Sequence, residues 1–281
     1  MAKQNYINAL NRAFLVLKNN KIDPDTARYL LFEMKDWTET QFSLHQNDLM
    51  PAAEQNKYNI YLEKAVKGVP PQYIMGYAWF YGRKFEVNSS TLIPRQDSES
   101  MIAQILADGS AKQSLLELGT GSGELTITLG LDGSFSKLMA TDISKTALKV
   151  AQRNAARYSL PIKFEQGDLF QPINNKFDVI VFNPPYIASN EKKYMDKTVI
   201  DYEPHSALFA KDNGLEFYQR FFKEVPKYLT KHGRAYLEFG FHQQDSIAKT
   251  FKRLLPNFRI EFFQDLAGNP RFLRIEKKEV F

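Results

Sequence analysis

Leu115-Leu116-Glu117-Leu118 is a short apolar run that ends in Gly119-Thr120-Gly121-Ser122-Gly123, and a helix follows it. A strand that turns directly into a helix lays that helix on one face of its own sheet, and the next strand returns parallel to the first. The alternation continues along the chain beyond Pro94. Strands are expected at Ser114–Leu118, Leu138–Thr141, Lys163–Gln166, Phe177–Phe182, Ala235–Phe239, Phe258–Phe263 and Phe272–Glu276. Only a short link, Gln264–Arg271 with Gly268 in it, joins the last two, so they are expected to form an antiparallel hairpin at the sheet edge. The expected fold class is α/β: a Rossmann-like, mostly parallel sheet of seven strands, covered by helices on both faces.

Before Pro94 the period is different. Tyr6, Ala9, Leu10, Ala13, Phe14 and Leu17 recur at steps of three and four, one face of a helix. Asp23 suits an N-cap and Pro24 a first turn, with Ala27, Leu30, Leu31 and Met34 on the apolar side of the helix they start. Pro51 opens another helix, with Tyr58, Tyr61, Leu62 and Ala65 on one face. Gly68 to Pro71 breaks this pattern, and Tyr77–Phe80 and Phe85–Val87 around Gly82 read as a β-hairpin. A chain of 281 residues exceeds the usual size of one domain. Three parts are expected: a helical domain over 1–70, a hairpin linker over 71–93 and the α/β domain over 94–281.

The formal charge is +5, a balance that can mark a nucleic-acid partner. Within residues 1–70, however, nine Lys/Arg face eight Asp/Glu, so there is no basic arm there. With no cysteine, disulfide frameworks and thiolate metal sites are excluded. The N-terminal stretch, interrupted by Asn5, Asn8, Asn11 and Arg12, does not read as a signal peptide, and no apolar run is long enough to span a bilayer. The protein is expected to be cytoplasmic, without a membrane or stable nucleic-acid partner.

Glycines let a ligand approach the backbone, and the helix after them offers free N–H groups. A nucleotide-like cofactor is expected on Gly119, Thr120, Gly121, Ser122 and Gly123, with Asp142, at the end of the next strand, accepting from both ribose hydroxyls. Nicotinamide dinucleotides and S-adenosylmethionine both fit so far. The spacing is G-x-G-x-G, not G-x-G-x-x-G, and Glu124 at the helix start would repel a pyrophosphate, which favours S-adenosylmethionine. After the third strand, Asp168 can take the adenine amino group and Leu169 can pack on the ring.

Phe177–Phe182 is a buried strand that ends in Asn183-Pro184-Pro185-Tyr186. Two prolines fix two φ angles and remove two N–H donors, so the turn presents carbonyl oxygens in a rigid array. The Asn183 side-chain oxygen and the Pro184 carbonyl can each accept one N–H of a planar amino group, aiming its nitrogen at a methyl sulfonium. Tyr186 supplies an aromatic face for the substrate plane. Adenine or cytosine amines and glutamine or asparagine amides all meet this description.

Secondary motifs narrow the choice. The chain has Pro71-Gln72-Tyr73-Ile74-x-Gly76, Leu92-Ile93-Pro94-Arg95, Tyr202-Glu203-Pro204 with Ala207-Leu208, Gly214-Leu215 with Tyr218, Leu237-Glu238 with Gly240 and Gln243, and Asp265 with Gly268 and Arg271. With Asn183–Tyr186 and the Glu117–Gly123 loop, it resembles the release-factor glutamine methyltransferases over nearly its whole length. The resemblance implies a class I S-adenosylmethionine-dependent methyltransferase domain preceded by a small all-α domain. It implies cofactor contacts from Gly119–Gly123, Asp142, Leu169 and Asn183, and a substrate glutamine held by Asn183, Pro184, Pro185 and Tyr186. It also implies peptide chain release factors as the protein substrate, the alternatives being a glutamine of a ribosomal protein or adenine in nucleic acid. The helical reading of 1–70, its near-neutral charge and its lack of a reactive cluster give that domain the expected task of recognising the substrate, and the enzyme is expected to be a monomer. Two departures from the family pattern are local: Gln96-Asp97-Ser98-Glu99 after Pro-Arg, and Glu124 after the glycine loop.

Overall fold

The computed structural model describes residues 4–109 and 113–278. In chain order the helices and strands are α1 (Tyr6–Asn19), α2 (Asp25–Lys35), α3 (Glu39–His45), α4 (Ala52–Val66), α5 (Pro71–Met75), β1 (Tyr77–Phe80), β2 (Arg83–Glu86), α6 (Asp97–Ala107), β3 (Ser114–Leu118), α7 (Glu124–Asp132), β4 (Lys137–Asp142) and α8 (Lys145–Arg157). There follow β5 (Ile162–Gln166), β6 (Phe177–Phe182), β7 (Ile187–Ala188), α9 (Lys197–Tyr202), β8 (Phe209–Ala210), α10 (Lys211–Gly214), α11 (Glu216–Tyr228), β9 (Leu229–Glu238), α12 (Gln244–Leu254), β10 (Phe258–Gln264) and β11 (Pro270–Lys277). The chain divides into two compact units, one of residues up to Tyr77 with Asp196–Tyr202, the other of Ala78–Met195 with Glu203 onward.

The first unit is helical. Its core joins Tyr6, Leu10 and Leu17 of α1, Leu30 and Leu31 of α2, Phe42 of α3, and Tyr58 and Leu62 of α4, so the apolar stripes of the sequence face inward. The Tyr58 hydroxyl donates to the carbonyl of Ala27 at 2.9 Å, which satisfies the polar tip of a fully buried ring. Asp23 takes the N–H of Asp25 at 3.0 Å, as a residue at a helix start should. Helix α3 is too short for a periodic signal and is set by a capping box between Thr38 and Gln41. In the stretch expected as a hairpin linker, α5 comes first and ends at Gly76 in the left-handed region, and the β1–β2 hairpin follows.

The second unit is built on a seven-stranded sheet of order β10-β11-β9-β6-β3-β4-β5. Strands β3, β4, β5, β6 and β9 pair in parallel, and β10 and β11 are the antiparallel hairpin at one edge. Strand β9 begins at Leu229, six residues before the stretch expected from sequence, because its polar first half, Thr230–Arg234, hides the apolar signal. One face of the sheet packs on α11 and α12 through Phe221, Phe222 and Phe251. The other packs on α6 and α7 through Met101, Ile105 and Ile127, with Phe80 and Phe85 of the β1–β2 hairpin buried in the same core. Chain order reverses at β3: β4 and β5 lie to one side, β6 and β9 to the other. Ligands bind at the carboxyl ends of strands at such a switch point.

Candidate active site

The ends of β3, β4, β5 and β6 open on one cavity of about 450 Å³. Gly119, Thr120 and Gly121 line it from β3, Asp142 from β4, Asp168 and Leu169 from beyond β5, and Asn183 and Pro185 from beyond β6. Gly119 and Gly121 have φ of 63° and 56°, a region that glycine enters without the Cβ penalty. The sharp turn depends on this, because it brings backbone rather than side chain to the cavity. Ser122 and Gly123 are not in the lining among the described residues. Ser122 is fully buried, and a Cβ at Gly123 would come within 3.2 Å of Ala151, so this third glycine serves the packing of α7 on α8.

The Asp142 carboxylate is tied to that turn. Its Oδ2 accepts the Gly121 N–H at 2.9 Å and its Oδ1 accepts the Ser144 N–H at 2.8 Å. The carboxylate still has acceptor capacity for a ligand. Burial raises its pKa, while the N–H groups of Ser144 and Gly121 oppose the rise. Two further acids support the loop. Glu117 accepts from Thr120 Oγ1 at 2.6 Å and from the Thr126 N–H at 3.1 Å, and burial together with nearby Glu124 pushes it up to about 8. Glu124 lines the cavity, and burial raises it to about 6. Asp168 carries a partner that the sequence did not reveal: Arg220 of α11 donates to it at 2.7 Å.

The Asn183–Tyr186 turn is held from behind. Gln243 donates to the Tyr186 carbonyl at 2.8 Å. Gly214, at φ 82°, passes so close that a Cβ there would lie 2.2 Å from the Tyr186 oxygen. Pro184 is buried and Tyr186 half-buried, and neither is in the cavity lining among the described residues. The Tyr186 hydroxyl instead donates to Glu238 Oε1 at 3.4 Å, and the Asn183 Nδ2 to Ser98 Oγ at 3.4 Å. Ser98 in turn donates to Glu238 Oε2. Ser98 and Glu238 were not assigned a role from sequence. Glu238 was visible only as an acid closing an apolar strand and as part of the Leu237-Glu238 motif of the resemblance.

Two motifs far apart in sequence meet beside the cavity. Glu203 accepts from Arg95 Nη2 at 2.6 Å and from the Ile93 N–H at 3.1 Å, which joins the Leu92–Arg95 and Tyr202–Pro204 segments. Leu92 and Pro204 both line the cavity. Asp265 folds its own turn by accepting the N–H groups of Ala267 and Asn269, each at 3.0 Å, and it holds Arg271 at 3.1 Å. Arg271 also reaches Asp97 at 3.1 Å, so the departure at Gln96–Glu99 is anchored to the sheet.

A buried carboxylate with lone pairs to spare suits a ribose, and Glu124 on the wall disfavours phosphate, so the residues present fit S-adenosylmethionine better than a dinucleotide. The fold and this cofactor define an S-adenosylmethionine-dependent methyltransferase. The model of the methyltransferase small domain matches residues 96–202, and that of the PrmC N-terminal domain matches residues 8–76. The release factor glutamine methyltransferase of Staphylococcus aureus is 33% identical over 272 residues, covering 96% of this chain and 98% of the relative. That of Enterococcus faecalis is 36% identical over 273 residues, with the same coverage of 96% and 98%. The chain belongs to the release factor glutamine methyltransferase family. Among solved structures, a methyltransferase from Pyrococcus furiosus aligns with TM-score 0.55 at 18% identity, covering 72% of this chain and 91% of that one. A ribosomal protein L11 methylase from Lactobacillus delbrueckii subsp. bulgaricus aligns with TM-score 0.51 at 20% identity, covering 67% and 82%. These two likenesses concern the fold alone. Among the described residues, no helix is long and apolar enough to cross a membrane.

Proposed function

We propose that this chain methylates N5 of the glutamine in the Gly-Gly-Gln loop of peptide chain release factors. One observation carries the reading: Asp142 and Asn183, at the ends of strands on either side of β3, face one cavity in a member of this family. S-adenosylmethionine supplies an electrophilic methyl group on a sulfonium centre. Gly119–Gly123 form the turn that receives it, Asp142 accepts from its ribose, and Leu169 and Asp168 take its adenine, with Arg220 sharing the Asp168 carboxylate.

Asn183 and the Pro184 carbonyl accept the two N–H groups of the substrate amide, and Pro185 and Tyr186 complete the rigid turn around it. Holding both N–H groups opposes delocalisation of the nitrogen lone pair and aims it, so the gain comes from orientation and electrostatics rather than from a base of high pKa. A Gly-Gly-Gln loop suits a narrow pocket, because glycines carry the side chain inward without Cβ clashes. The helical unit over 1–70 reads the protein substrate and does no chemistry; its near-neutral charge supports a protein rather than a nucleic-acid partner. The enzyme works as a monomer in the cytoplasm.

The test is transfer of labelled methyl from S-adenosylmethionine to purified release factor, to ribosomal protein and to duplex DNA, offered side by side. Label on the release factor alone is expected. Label on ribosomal protein or adenine, with none on the release factor, overturns the assignment of substrate.

A further inference from the structure

We infer that Ser98 and Glu238 are positioning residues that decide which way round the Asn183 amide sits, so that its oxygen and not its nitrogen meets the substrate. The inference rests on the role given to Asn183 in the proposed function and deepens it. An asparagine amide presents an oxygen on one side and two N–H donors on the other, and the two orientations have nearly the same shape. Only one of them can accept an N–H from a substrate amide. A side chain at the wall of an open cavity needs a partner to fix that choice.

The partner is Ser98, which is 3% exposed and placed by the first turn of α6. A hydroxyl has one proton to give. Ser98 gives it to Glu238, which is 1% exposed at the end of β9. Towards Asn183, Ser98 therefore offers only lone pairs, and Asn183 answers with Nδ2 at 3.4 Å. The amide oxygen is left for the substrate. The flipped amide would set oxygen against oxygen in a buried place, which is costly. An ionised carboxylate only accepts, so the proton on Ser98 has a fixed direction as long as Glu238 is charged. The same carboxylate takes the Tyr186 hydroxyl, so one buried acid holds two of the four residues of the turn.

Four elements pack groups against Glu238. Asp97 and Ser98 come from α6, Tyr186 from the turn after β6, and Arg271 from β11. Tyr218 of α11 donates to the Glu238 backbone carbonyl at 2.8 Å. Burial raises Glu238 to about 7 even though Ser98 and Arg271 favour its charged form. Below that pH a protonated Glu238 can donate to Ser98. The serine proton is then free to turn towards Asn183, and the orientation is lost.

The experiment compares single-turnover or steady-state kcat, KM for release factor and calorimetric cofactor affinity in the full-length enzyme and in Ser98→Ala, Ser98→Thr, Glu238→Gln, Asn183→Ala and Ser98→Ala/Asn183→Ala. Ser98→Ala is expected to lower kcat on the order of 10–100-fold, with KM and cofactor affinity little changed. Ser98→Thr, which keeps the hydroxyl, is expected to recover most of the rate. The double variant should be no slower than Asn183→Ala alone, because Ser98 acts through Asn183. In the wild type kcat should fall as pH drops through about 7, and Glu238→Gln should lack that step. A wild-type kcat in Ser98→Ala, or additive losses in the double variant, overturns the inference. Near-normal turnover in Asn183→Ala overturns instead the role of Asn183 on which it rests.

Discussion

Glu203 holds Arg95 across 108 residues of chain: its carboxylate takes the guanidinium at 2.6 Å and the Ile93 N–H at 3.1 Å. The acid side chain is 1% exposed and the arginine 36%, so the pair is buried at one end and wet at the other. Glu203→Ala leaves a backbone donor without its acceptor and the arginine without its counter-charge. A loss of roughly 1–3 kcal/mol of stability is expected, less than for a fully buried pair because water reaches Arg95. The cavity wall at Leu92 and Pro204 should loosen with it. Chemical denaturation, with cofactor affinity measured in parallel, checks both effects; unchanged values of both would mean that the pair does not brace the wall.

The Asp142–Gly121 contact leads to a second expectation. Asp142→Ala removes the proposed acceptor for the ribose and one tie of the glycine turn, and it should weaken S-adenosylmethionine binding by roughly 1.5–3 kcal/mol, the scale of hydrogen bonds to a charged group. The fold should persist, since the sheet pairing of β4 does not use this side chain. Calorimetric titration decides, and an unchanged affinity removes Asp142 from the site.

The buried acids set a pH dependence of stability. Glu117, Glu238 and Glu124 are raised by burial to about 8, about 7 and about 6. Between the ordinary glutamate value and these values the folded chain binds more protons than the unfolded chain. Stability from these groups is therefore complete below the ordinary value and is lost as pH rises through the folded ones. Thermal melts of the cofactor-free protein should show a falling Tm from about pH 5 to about pH 8. Asp178 acts in the opposite sense: burial would raise it, but hydrogen bonds from Ser114 and Thr230 hold it below the usual aspartate range, so its contribution is lost only in acid. A Tm that climbs steadily across the neutral range would contradict the assignment.

The sheet was legible in the sequence because its strands are short apolar runs, several of them closed by Gly119, Gly167, Asn183 or Gly240, and because Gly119–Gly123 and Asn183–Tyr186 mark strand ends by composition alone. Local signals of this kind also located Asp142. They did not reveal β7 and β8, two residues each, nor that Lys197–Tyr202 belongs with the helical unit, where Tyr202 donates to the Lys67 carbonyl at 2.7 Å. Ser98 and Glu238 stand 140 residues apart, and Asp168 and Arg220 stand 52 apart. No periodicity or spacing encodes such pairs; only the assembled sheet and its helices bring them together. The motifs around Arg95, Glu203, Asp265 and Arg271 were visible as strings, but the contacts show what they do: Glu203 ties Arg95 and Ile93 beside the cavity, and Arg271 ties Asp97 to the Asp265 turn.

Mass spectrometry of a full-length bacterial release factor after incubation with this enzyme and S-adenosylmethionine tests the central claim most directly. The expected result is one added methyl on the peptide carrying the Gly-Gly-Gln loop, located on the glutamine side chain. The signal should vanish when that glutamine is replaced by alanine, and it should be strongly reduced with the Asn183→Ala enzyme. An unmodified loop under conditions where the same enzyme methylates another protein or adenine in DNA would contradict it.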